Sequence, residues 1–296
     1  MPDPHGDQAA GLRRLFGGQH LRVVTFLAAD AGVGKTQAVA GLAAALAAQG
    51  RQVLIVDENE GADCIAASLG SAVRADLLDV ISGRCRLRDA LIQLRPGLRV
   101  LPAARAAGAL DQVTAAQQEA LFAAVGDLEV APDVVLVDAR HQHPLGFSPF
   151  ALATSETVVT LTAQPVSITA AYVLIKGVSQ QYGRRRFRVL INRARSAGDA
   201  EQVYANLARV AGQRELAMLD LAAVIPSDDA MRRAARLSKS VVEAFPESPA
   251  ATALRQFASE LLYWPSEDDP EGFEDLMRQL LHLSQRITTP RAKPLR

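Results

Sequence analysis

The sequence predicts an α/β fold: a doubly wound, mostly parallel sheet with helices on both faces. Three observations carry that expectation. Val23-Val24-Thr25-Phe26-Leu27 is a β-branched, apolar run; Gly32-Val33-Gly34-Lys35-Thr36 follows it, and then an Ala-rich segment from Gln37 to Gln49 with high helix propensity. Two later apolar runs, Val53-Leu54-Ile55-Val56 and Val134-Val135-Leu136-Val137, each end in an aspartate. Strand-like and helix-like segments alternate from there to about Tyr263, the pattern of parallel strands joined by helical crossovers.

Bulk properties set the class. With 296 residues, 49% hydrophobic and 22% charged, the chain has an ordinary globular composition and can bury a real core. Lys+Arg and Asp+Glu both number 32, so no net field argues for nucleic acid or acidic partners. Two cysteines, Cys64 and Cys85, make no disulfide framework and suit a reducing compartment. No apolar run is long enough to span a bilayer and the N-terminus lacks a signal-peptide core, so a cytoplasmic protein is expected.

Taken in order, the N-terminal arm comes first. Asp7 is placed to cap a short helix in which Ala9, Leu12 and Phe16 share a face, and Gly17-Gly18 ends it. The first strand, glycine loop and helix then form the context a phosphate-binding loop requires. Gly32 and Gly34 let backbone N–H groups approach phosphate oxygens, and the helix start adds a favourable dipole. Lys35 suits the β- and γ-phosphates and the Thr36 hydroxyl suits Mg²⁺. Ala29 stands where the usual pattern has its first glycine.

The run ending in Asp57 is a second strand, parallel to the first, and Glu58 to Asp63 is a polar loop at its carboxyl end. Helical segments are expected around Leu77 to Ile81 and Leu87 to Leu94, then a short strand Leu98 to Pro102. The strand ending in Asp138 offers a second carboxylate for a magnesium shell. Further strands are expected at Thr157–Thr162, Phe187–Asn192 and Leu221–Pro226, with a helix around Ile168 to Gln181. Residues 21–264 form one domain, after an arm of residues 1–20 and before a linker and helix over 265–296.

Gly32-Val33-Gly34-Lys35-Thr36, Val56-Asp57, Val137-Asp138, Ile191-Asn192-Arg193 and Val224-Ile225-Pro226-Ser227-Asp228, in that order, resemble the motif series of the MinD/ParA-type P-loop ATPases. The arm narrows the branch: Asp7-Gln8-Ala9-Ala10-Gly11-Leu12-Arg13 resembles the activator helix of the FlhG (FleN) flagellar-number regulators. The resemblance implies ATP/ADP and Mg²⁺ as ligands. Gly32, Val33, Gly34, Lys35, Thr36 and Gln37 would hold the phosphates, and Asn192, Arg193, Pro226 and Asp228 would line the adenine. Thr36, Asp57 and Asp138 would form the magnesium shell, and Lys35, Asn59 and Asp138 the catalytic set. It also implies a partner GTPase of the signal-recognition-particle class (FlhF-like) engaged by Asp7, Gln8, Ala9, Leu12 and Arg13. A flagellar transcription regulator or C-ring protein, and an ATP-dependent homodimer, complete the expected partners.

Three departures bear on mechanism. Asp30 replaces the signature lysine that would reach a dimer partner's nucleotide, and a unit charge at 4 Å in a surface-like dielectric is about 4 kcal/mol. Asn59 replaces the switch-I aspartate, and an amide accepts no proton from an attacking water. After Asp138 the small-residue switch becomes Ala139-Arg140-His141-Gln142-His143-Pro144. The two histidines lack the further ligands a metal site needs, and Arg140 is a candidate for the missing positive charge. Slow hydrolysis, or a pseudo-ATPase, is the expectation. A dead MinD-like scaffold and a ParA-like or cellulose-secretion ATPase are the alternatives.

Two patches remain. Arg184-Arg185-Arg186-Phe187-Arg188 reads as a solvated basic loop, with DNA binding disfavoured for want of a wider positive charge. Phe273, Leu276, Met277, Leu280 and Leu281 fall on one helical face ahead of a basic tail. That face suits peripheral contact with the inner face of the plasma membrane, or packing against the domain itself.

Overall fold

Apolar runs with no polar alternation need cover on both sides, and the computed structural model supplies it. It describes residues 21–141, 148–154, 156–265 and 270–288. Eight strands form one sheet: β1 (Arg22–Ala28), β2 (Val53–Asp57), β3 (Ile92–Arg95), β4 (Leu98–Pro102), β5 (Val134–Asp138), β6 (Glu156–Thr162), β7 (Arg186–Ala194) and β8 (Met218–Pro226). Their spatial order is β3-β4-β2-β5-β1-β6-β7-β8. Every neighbouring pair is parallel except β3 with β4.

Eight helices matter for the site: α1 (Lys35–Ala48), α2 (Ala115–Gly126), α3 (Pro149–Ala153), α4 (Pro165–Tyr182), α5 (Ala197–Gln213), α6 (Asp229–Arg236), α7 (Pro249–Leu261) and α8 (Phe273–Thr288). Shorter turns of helix lie between them. Successive strand residues point to opposite faces, so Val24, Phe26 and Ile55 pack with Leu42 and Leu46 of α1 and Leu254 and Phe257 of α7. Val23, Leu54, Val56 and Val137 face the other layer, where Leu121 of α2, Phe150 of α3, Ile175 of α4 and Leu207 of α5 meet them.

One expectation needs correction. The segment from Leu87 to Leu94 is not one helix. The helix stops at Ala90, and Ile92–Arg95 turns back at Pro96-Gly97 to pair antiparallel with β4. Gly97 takes φ +75°, and a Cβ there would sit 3.0 Å from the Arg51 carbonyl oxygen, so a positive-φ glycine sets a hairpin that helical periodicity hides.

The C-terminal helix takes the second of its two expected arrangements, packed against the domain. Its apolar face is not offered outward: Leu276, Met277 and Leu280 are fully buried, and Phe273 and Leu281 nearly so, against α2 and α3. In this conformation the residues read as a membrane face belong to the core. Among the described residues no helix is long and apolar enough to cross a membrane.

The basic run before β7 is spent internally as well. The half-buried Arg184 guanidinium donates to the carbonyl oxygens of Leu152 and Thr154, capping the end of α3. Arg188 donates to Glu156 at 2.7 Å and lies 3.9 Å from the Trp264 ring centroid. Only Arg185 and Arg186 remain exposed, so the solvated loop expected there is half structural.

Candidate functional site

The carboxyl ends of β1, β2 and β5 converge, which is where parallel α/β sheets bind ligands. The register is direct: Asp57 on β2 is the Cα partner of Asp138 on β5, and Asp138 in turn pairs with Phe26 on β1. After Ala28 the chain turns through Gly32 (φ +72°) and Gly34 (φ +85°) into α1. Gly34 cannot be replaced freely, since a Cβ there would lie 2.5 Å from Asn192 Nδ2.

Lys35 is buried at the start of α1. Its ammonium forms an ion pair with Asp138 and donates to the Ala139 carbonyl oxygen at 2.6 Å. The Thr36 hydroxyl donates to Asp138 Oδ2 at 2.9 Å. Lys35, Thr36, Asp57 and Asp138 therefore meet in one cluster, and their hard oxygen donors fit a magnesium ion. The loop's positive-φ glycines and buried lysine fit a polyphosphate.

Asn59 points into that cluster. Its Nδ2 donates to Asp57 Oδ1 at 2.9 Å, to the Asp138 carbonyl oxygen at 3.0 Å and to Asp138 Oδ2 at 2.8 Å. Its backbone N–H also reaches Asp57 Oδ1, at 3.0 Å, while Ile65 N–H holds the other Asp57 oxygen at 2.6 Å. Burial and the neighbouring Asp138 carboxylate still push the Asp57 carboxyl well above the ordinary carboxylate range.

Glu58, beside Asn59 and outside the expected site, turns the other way and is fully buried. One carboxylate oxygen accepts from Arg140 N–H at 2.9 Å and the other from Ser148 Oγ at 2.5 Å. Ser148 also caps α3 by accepting from Ala151 N–H at 3.1 Å. Burial pushes the Glu58 carboxyl up to about 7. The only sequence signal was its position beside a strand-end aspartate.

The remaining expected residues divide. Asn192 Nδ2 donates to the Val33 carbonyl oxygen at 2.8 Å, locking the loop to the end of β7. Arg193 takes φ +55° and lays its guanidinium over Gly34. Pro226 ends β8 beside Ala194. The Asp228 carboxylate is committed to helix ends, accepting from Ala230 N–H at 2.8 Å and Ala250 N–H at 3.1 Å. Gln37 lies half-buried on α1. Asp30 accepts only from its own Ala31 N–H at 2.8 Å and has no cationic partner among the described residues. The Arg140 guanidinium lies 3.6 Å from Glu60.

His141 sits 3.3 Å from the Ala28 carbonyl oxygen, and no group of three metal-ligating His, Cys, Asp or Glu side chains occurs among the described residues. His143 and the arm residues Asp7, Gln8, Ala9, Leu12 and Arg13 lie outside the described residues.

A parallel sheet with a glycine loop, a buried loop lysine and two strand-end aspartates defines a P-loop NTPase fold. The chain belongs to the CobQ/CobB/MinD/ParA nucleotide-binding domain family, whose model matches residues 24–241. It is 34% identical over 258 residues to the antiactivator FleN of Pseudomonas aeruginosa, covering 87% of this chain and 92% of FleN. It is 23% identical to the flagellum site-determining protein YlxH of Helicobacter pylori, covering 88% of this chain and 90% of YlxH. Among solved structures, MinD of Pyrococcus horikoshii complexed with Mg-ADP superposes with a TM-score of 0.56. The identity there is 22%, over 81% of this chain and 95% of that one.

Proposed function

We propose that the chain is an ATP- and ADP-binding regulatory switch of the FlhG type, acting in the control of flagellar number or placement. The observation that carries this reading is the convergence of Lys35, Thr36, Asp57 and Asp138 beneath the glycine loop. The likeness to FleN and YlxH supports the flagellar setting.

In this reading Gly32 to Gln37 hold the phosphates, and Asn192 and Arg193 fix the loop and flank the base. Pro226 stands at the rim of the adenine side, while Asp228 acts by positioning α6 and α7. Thr36, Asp57 and Asp138 hold Mg²⁺, which supplies charge neutralisation for the phosphates. ATP favours a homodimer. Asp7, Gln8, Ala9, Leu12 and Arg13 form the element that stimulates an SRP-class GTPase such as FlhF. A flagellar transcription regulator or C-ring protein, and the inner face of the membrane, are further contacts of the same reading.

Hydrolysis is slow because Asn59 offers no base and its amide donates into the carboxylates. That same observation favours a second reading, a nucleotide-bound scaffold with no cycle. Turnover of the partner GTPase, measured with the full chain, a chain lacking residues 1–20 and an Arg13→Ala variant, tests the first. Stimulation by the full chain and its loss in both variants is expected; stimulation independent of the arm overturns it.

A further inference from the structure

Asn59 does more than fail as a base. Three oxygens accept from its side-chain NH₂ group: Asp57 Oδ1, Asp138 Oδ2 and the Asp138 carbonyl, the last of which can only accept. Only the NH₂ end of the amide satisfies them, so the orientation is fixed by chemistry. An aspartate here would add a third carboxylate to two that already face each other across the β2–β5 register.

The amide hydrogens thus lie against one oxygen of each carboxylate, Asp57 Oδ1 and Asp138 Oδ2. Beside them lies a cavity of about 510 Å³ lined by Asn59, Glu60, Cys64, Arg74, Asp76 and Arg105 among others, which gives the amide room to turn outward.

We propose that Asn59 is a cation substitute. Turned inward it neutralises the Asp57–Asp138 pair and excludes a divalent cation from their oxygens; turned into the cavity it admits one. The nucleotide site is then closed to magnesium by its own chain until the 57–60 loop moves. This inference rests on the nucleotide-binding reading, which it deepens by adding a device that sets the site's cation requirement.

The test is a titration of Mn²⁺ into the full chain followed by electron paramagnetic resonance, without nucleotide and with ADP. ADP affinity without added cation is measured on the same samples. Asn59→Ala is expected to bind Mn²⁺ about tenfold more tightly than the parent, the change produced by removing one competing charge-assisted hydrogen bond. Thermal stability guards against a folding defect. Asn59→Ala and Asn59→Asp are expected to melt below the parent in EDTA and to recover with Mg²⁺, while the parent melts at the same temperature in both. Equal Mn²⁺ affinities for parent and Asn59→Ala in both states, or a parent as dependent on Mg²⁺ as its variants, overturn the inference. Failure of ADP to bind any of the proteins removes the nucleotide reading alone, and the nucleotide-free titration then decides the cation question.

Discussion

Asp57 and Asp138 are cross-strand partners at the carboxyl ends of β2 and β5, two buried carboxylates held in register. Such a pair is stable only with donors close by, because unpaired buried charge is costly. Here the donors are Lys35, Thr36 and Asn59 for Asp138, and Asn59 with Ile65 N–H for Asp57. Each donor is therefore a site where chemistry and stability are linked.

Lys35→Ala removes the ammonium from a buried ion pair and leaves Asp138 to Thr36 and Asn59. A loss of about 3 kcal/mol in unfolding free energy is expected, the low end for breaking a buried pair, because two donors remain. Urea denaturation measures it. Loss of ATP and ADP binding should accompany it, and a variant that binds as the parent does would remove Lys35 from the phosphate site.

Gly34→Ala forces a side chain onto φ +85° and into the Asn192 amide. About 1–3 kcal/mol of strain is expected, with weaker nucleotide binding. In the double variant Gly34→Ala/Asn192→Ala the steric part is relieved while the Val33 contact stays lost. A double-mutant cycle should thus show a coupling energy of at least about 0.5 kcal/mol.

The Glu58 carboxyl titrates at about 7 in the folded chain against 4.5 ordinarily. A raised folded value means the folded state binds the extra proton, so stability falls as pH rises through that window. Glu58→Gln cannot ionise and keeps an acceptor for Arg140 N–H. In EDTA its unfolding free energy should decline less across the window than the parent's, by up to about 3 kcal/mol for the full shift. Asp57 acts in the same direction, so part of the slope persists. Identical slopes would place Glu58's proton elsewhere.

Leu280→Ala in α8 opens a cavity against α2 and α3 and should cost about 2–5 kcal/mol. With the helix seated, the nucleotide-free chain should not co-sediment with anionic vesicles. Co-sedimentation of the parent, lost on removing residues 270–296, would show that the packed state is not the one populated in solution.

Much of this was legible in sequence because parallel strands are apolar on both faces and end where polar chemistry begins. Val56-Asp57, Val137-Asp138 and Gly32 to Thr36 announced both the strands and the site in that way. The β3–β4 hairpin was not legible, since Leu87, Leu91 and Leu94 keep helical spacing and only Pro96-Gly97 betrays the turn. Nor was the seat of α8: an amphipathic helix reads the same whether lipid or protein covers it, and the covering residues lie more than a hundred positions away. The inward amide of Asn59 needed the neighbouring carboxylates in three dimensions before its NH₂ end could be assigned.

Equilibrium binding of ATP and ADP to the full chain by calorimetry, with and without Mg²⁺ and with mass read in the same samples, bears most directly on the switch. Saturable binding of both nucleotides, abolished by Lys35→Ala, with a dimer formed in ATP, is the expected result. No binding of either nucleotide under any cation condition would contradict it, and would leave the P-loop fold as a scaffold for its two ends.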